Sequence, residues 1–242
     1  LMTFNIIGSI LPEVTIAVAI CIVILVNSLV RNASVTLIHS LVLFFLSFAL
    51  FLSFVSLELP DSNIFEGHYV IDAFGTNLKI IALIAAIFVH LTSIKSKQNI
   101  KNEIFLIQLF ATLGVMILCS AHNLLTVYLG LETLTLSMYG IVASNRNSIE
   151  ATESAMKFFI LGAIASAIFL YGVSILYGVT GTLSLDLIEN SKLLDSLEMR
   201  IAVAFMACGI IFKFGAFPFH SWVPDSYQGS NTTAAIYISS VP

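Results

Sequence analysis

The chain has 242 residues, of which 58% are hydrophobic and only 10% carry a charge, and its formal net charge is −4. A water-soluble domain carries about 25% charged residues, so this composition excludes a soluble enzyme and indicates a polytopic, all-α membrane protein. The small net charge says little about partners; the positions of the charges say more.

Long stretches lack Asp, Glu, Lys and Arg altogether, among them 17 positions at 14–30, 26 at 32–57, 28 at 104–131 and 28 at 158–185. A membrane helix needs roughly 20 apolar residues. Hydropathy predicts seven full spans, at 8–30, 34–56, 72–93, 104–120, 123–143, 154–178 and 200–225, and an eighth beginning at 231. All should be helices, because lipid offers no partner to an unpaired backbone group. The alternating strands of a barrel are missing. The first span has no basic n-region and no small-residue cleavage site, so it is not read as a removable signal. The chain opens on Leu1 and closes at Pro242 inside an apolar segment, which suggests an N-terminal fragment of a longer protein.

The loops set the expected topology. Arg31, Lys95, Lys97, Lys101 and Arg146 fall on one side. The other side has Lys192 and Arg200 among Glu58, Asp61, Glu66, Asp72, Asp186, Glu189, Asp195 and Glu198. The positive-inside rule places the first set in the cytoplasm and the N-terminus outside. The tract "GTLSLDLIENSKLLDSLEMR" is expected to be a short external connector. Cys21, Cys119 and Cys208 lie in apolar segments without a paired motif and are read as core residues.

Charges inside spans are rare and usually functional, since each costs about 2.5–3.5 kcal/mol on insertion scales. Among the acids, Glu132 is read as mid-span, in "VYLGLETLTLSMYG", about ten residues from either end. It is either a proton or ion site or a protonated acid bonded to a neighbouring helix. Lys157, in "ESAMKFFILGA", either snorkels to the interface or meets Glu132 on the antiparallel neighbour; a Glu132–Lys157 interaction is expected. Lys213 ends the apolar run of span 7, about 20 Å in at 1.5 Å per residue. The string that follows, "KFGAFPFHSWVPDSYQG", contains Gly215 and Pro218. Proline disturbs a helix, and a lysine beside a broken helix matches the construction of transporter sites; the alternative is a kinked packing helix. His220 either relays protons or bonds the carbonyls freed by the break. Pro224 and Asp225 should mark the end of the span. Lys79 is read as an interfacial anchor, and His39, His68, His90 and His122 as interfacial residues. Gly162 with Ser166, and Ala163 with Ala167, repeat small residues every four positions, which allows close helix approach.

Three strings, "GLETLTLSMYG", "EATESAMKFFILGAIASAIFLYGVSILYGVTGTLSL" and "FKFGAFPFHSWVPDSYQG", resemble in the same order the antiporter-like membrane subunits of respiratory complex I, the NADH-quinone oxidoreductase, and the related Mrp cation/proton antiporters. The resemblance is strong over 104–242; before that it rests mainly on hydropathy. It implies about fourteen membrane helices with two inverted five-helix repeats: three leading helices at 1–103 and a truncated first repeat at 104–242. It places proton translocation on Glu132, Lys157 and Lys213. It further implies a non-redox translocase subunit that binds no cofactor or metal, with NAD, FMN, iron–sulfur clusters and quinone elsewhere in the complex. No GxGxxG and no cysteine cluster occurs. The implied partners are other membrane subunits of the complex, including neighbouring antiporter-like ones, and the lipid bilayer, with no nucleic acid. The implied location is the bacterial inner membrane or the inner mitochondrial membrane. An Mrp-type sodium/proton antiporter component is the alternative. One departure is visible: "GSNTTAAIY" stands where the family has a proline-containing start to span 8.

Overall fold

A computed structural model describes residues 2–30, 34–95, 102–145, 148–189 and 196–242. Its helices, in chain order, are α1 (Met2–Leu29), α2 (Val35–Ser56), α3 (Ala73–Lys95), α4 (Asn102–Ser120), α5 (Leu124–Val142), α6 (Ile149–Thr180), α7 (Leu185–Glu189), α8 (Leu197–Lys213), α9 (Trp222–Gly229) and α10 (Thr232–Ser240). The first six are long and apolar enough to cross a membrane by length and composition. Arg31, Lys97, Lys101, Arg146 and Lys192 of the expected topology lie outside the described residues.

Polar residues set the helix ends. Ser34, Asn123, Ser148 and Ser196 each accept a bond from a backbone N–H of the first turn, satisfying donors that a helix start leaves open. Ser148 starts α6 five residues earlier than hydropathy predicts, and Gly181, at φ 69°, ends it in the left-handed conformation.

The loop between α2 and α3 is not helical. It forms an antiparallel hairpin of β1 (Ser62–Ile64) and β2 (Tyr69–Ile71), with Ile64 opposite Tyr69. Its turn closes with His68 N–H donating to Phe65 O at 3.0 Å. The two central residues, Glu66 and Gly67, have φ of 56° and 86°, as tight hairpin turns favour. The hairpin lies outside the apolar spans, where water can satisfy its edges. Tyr69 bridges Ala121, and Asn123 bridges Ser184. The loops after α2, α4 and α6 therefore share one face of the bundle. His122 and Asp186 pair within this layer at 2.8 Å.

Span 7, at 200–225, is broken after Lys213, as its Gly215 and Pro218 predict. It is α8, a break at 214–221, and α9. α8 packs along α6 through small residues: a Cβ at Gly209 would stand 2.7 Å from Phe169 Cβ, and one at Gly172 2.7 Å from Ala202 O. Two backbones meet closely only where no side chain intervenes. Of the small residues expected to form the contact, Gly162 and Ser166 are buried, but Ala163 and Ala167 are exposed.

Candidate functional site

Three helices bring the site together. Glu132 projects from the middle of α5, Ser166 from the middle of α6, and Lys213 from the last turn of α8. The Lys213 ammonium donates to Ser166 Oγ and to Thr135 Oγ1, each at 3.1 Å. Ser166 Oγ in turn donates to Glu132 Oε1, which lies 3.8 Å from Lys213 Nζ. The side chains are 11% exposed at Lys213 and 23% at Glu132, so both are shielded from full solvation. At an effective dielectric near 20, charges at this separation attract by about 4 kcal/mol. That attraction offsets part of the cost of burying them, and Ser166 and Thr135 supply bonds the ammonium would otherwise take from water. Tyr128, Leu131, Phe169 and Gly209 close the remaining space, which is too narrow for a water molecule.

The break at the end of α8 has its own supports. Gly215 sits at φ +60°, where a Cβ would also meet Val223; only glycine fits both demands. Ala216 N–H reaches back to Ile211 O at 3.1 Å, and Phe219 N–H bonds Ala216 O at 2.8 Å. Trp222 Nε1–H donates to Phe212 O at 2.9 Å, a second donor to a carbonyl that also accepts Gly215 N–H at 2.9 Å. The Trp222 ring stacks on Phe158 of α6, with centroids 4.2 Å apart and planes 4° from parallel. Sequence reasoning had offered His220 for such a carbonyl; the structure gives that bond to Trp222. His220 is exposed, with its ring 5.8 Å from that of Phe217, and among the described residues no hydrogen bond or ion pair links it to Lys213.

The expected Glu132–Lys157 interaction is not formed. Lys157 Nζ lies 2.8 Å from Glu153 and 3.2 Å from Asp225, with its side chain 48% exposed. Lys157 and Ser166 are nine residues apart on α6, so they point about 180° apart and stand about 13.5 Å apart along the axis. The face that reaches Glu132 is the one Lys157 turns away from. Asp225 does not end a span but lies in the first turn of α9. The Lys157–Asp225 pair therefore ties the far side of the break to α6.

Three further expectations change. Lys79 is not an interfacial anchor: its side chain is 2% exposed and its Nζ lies 2.6 Å from Glu13 Oε1, an acid that sequence reasoning did not single out. His39 and His90 are buried rather than interfacial; His39 Nε2 bonds His90 O, and His90 Nδ1 bonds Ala86 O, each at 2.8 Å. The cysteines are free, with Cys21 exposed rather than in the core. Where the proline-containing start of span 8 is replaced, Asn231 begins α10 without a side-chain cap bond.

The chain is 39% identical over 239 residues to the NADH-quinone oxidoreductase subunit N of Alkalilimnicola ehrlichii, covering 96% of this chain and 49% of the relative. It therefore spans about half the length of the curated relatives it matches. Among solved structures it superposes on a chain of respiratory complex I from Thermus thermophilus with a TM-score of 0.82 at 27% identity, covering 95% of this chain and 50% of the other. It also shares its fold, at 16% identity and a TM-score of 0.81, with a chain of the Mrp complex from Dietzia, over 97% and 48% of the two chains. With residues 121–242 matching its membrane domain, the chain belongs to the NADH:quinone oxidoreductase/Mrp antiporter family.

Proposed function

We propose that the chain is part of a proton-translocating membrane subunit of an NADH-quinone oxidoreductase, working beside other membrane subunits and itself free of redox groups. The observation that carries this is the shielded Glu132–Ser166–Lys213 network placed at a helix break. An ionisable pair inside a membrane bundle is costly, and a broken helix is where a transporter admits water and ions to its midplane. Lys213 holds a proton while Glu132 and Ser166 face it. When a neighbouring subunit's field draws Glu132 away, the ammonium loses its compensating charge and releases the proton. When the pair re-forms, Lys213 takes a new proton through water at the break. Lys157 acts on this cycle through Asp225, by holding α9 against α6. His220, exposed at the same break, is the candidate relay. The N-terminus lies outside, with residues 1–103 leading and 104–242 forming the first repeat.

The names of the relatives favour this over an Mrp-type sodium/proton antiporter. Vesicles containing the assembled complex, given NADH in sodium-free medium, separate the two. Proton uptake without sodium supports the proposal; uptake that needs sodium supports the alternative.

A further inference from the structure

A second buried charge pair lies in the leading helices, on none of the elements that build the Lys213 site. Glu13 of α1 and Lys79 of α3 are 8% and 2% exposed. Lys79 Nζ approaches Glu13 Oε1 at 2.6 Å, and Tyr69 Oη donates to the same oxygen at 2.8 Å. The ammonium also stands 5.3 Å from the centre of the Tyr69 ring. Burial and the Glu13 charge push the Tyr69 phenol up from its ordinary value, so it remains a donor.

All of this serves one carboxylate oxygen. Glu13 Oε2 is buried without a hydrogen-bond partner, and so is Ser62 Oγ of β1; Ser120 Oγ, at the end of α4, faces the Tyr69 hydroxyl. These elements converge: β1 pairs with β2, which carries Tyr69, and Tyr69 bridges Ala121, the neighbour of Ser120. A buried pair kept only for packing has its polar atoms satisfied. Unfilled oxygens beside an ion pair, under the loop layer, fit a place where water and a proton enter. A metal cation does not fit, because Lys79 already supplies the positive charge and would repel it.

We infer that Glu13 and Lys79 form a second proton-exchange site, opening toward the face that carries the hairpin. An N–H bond of Lys79 breaks and an O–H bond of Glu13 forms, leaving a neutral amine and a neutral acid. The carboxyl then rotates to turn that O–H away from Lys79 and gives the proton to water, and the amine takes the next proton. This rests on the proton-translocation reading above.

The test uses the full-length subunit in the assembled complex, reconstituted in vesicles. Protons pumped per NADH are compared for wild type, Glu13→Gln, the neutral double variant Glu13→Gln/Lys79→Met, and Lys213→Ala. We expect both Glu13 variants to assemble and to pump at half the wild-type ratio or less. A double variant that assembles and pumps at the wild-type ratio, while Lys213→Ala does not, overturns the second site alone. If Lys213→Ala also pumps normally, the underlying function falls with it. Should the double variant not assemble, infrared spectra of the turning-over complex decide. A carboxylic-acid band that shifts in heavy water and moves in Glu13→Asp supports the site; its absence in wild type contradicts it.

Discussion

Lys213 and Glu132 meet through Ser166, whose hydroxyl accepts from the ammonium at 3.1 Å while donating to the carboxylate. The serine thus holds two charges 3.8 Å apart in a fixed geometry. A hydroxyl can accept and donate at once, so the link suits either protonation state of Lys213.

Ser166→Ala tests the link at nearly constant volume. Its loss leaves Glu132 without a hydroxyl donor and should cost about 1–3 kcal/mol of stability. The complex should assemble and oxidise NADH, while protons pumped per NADH fall. Thermal unfolding and vesicle acidification measure the two effects.

Coupling should be found between Glu132 and Lys213 and not between Glu132 and Lys157. In a double-mutant cycle read on stability, the first pair should show an interaction of about 0.5–3 kcal/mol, as for residues in one network. The Glu132→Gln and Lys157→Met changes should simply add.

Gly215→Ala should damage the break. The left-handed backbone costs a non-glycine residue about 1–2 kcal/mol, and the added methyl collides with Val223. The yield of assembled complex and its thermal midpoint should drop, with Gly178→Ala as the control, because nothing lies within 4 Å of a Cβ there.

Trp222→Phe should keep an aromatic ring on Phe158 but lose the bond to Phe212 O. Phe212 O keeps its bond from Gly215 N–H, so the loss is that of one hydrogen bond, about 0.5–1.5 kcal/mol. Hydrogen exchange should rise at amides 214–223 more than in the middle of α6.

The spans were legible because lipid imposes a simple length and polarity code on them. Lys213 and its break were legible because a charge, a glycine and a proline sit together in one string. The partner of Glu132 was not. That choice depends on which face of α6 turns toward α5, and Lys157 and Ser166 lie on opposite faces. Trp222 carried no signal that would separate a packing ring from a cap for a broken helix. Glu13 was hidden at the edge of a charge-free run, yet a depth comparison finds it. Counting from the predicted starts at 8 and 72, Glu13 lies five residues into the first span and Lys79 seven into the third. Both spans start from the same face, so the two charges sit at matching depth. The hairpin was not legible because the rule that makes every span a helix ends where the hydrocarbon does and says nothing of the loops between spans.

Protons pumped per NADH by assembled complexes carrying Lys213→Ala test the role of the network most directly. The expected result is NADH oxidation by an intact complex with proton transfer sharply reduced. Intact oxidation accompanied by wild-type pumping would contradict it.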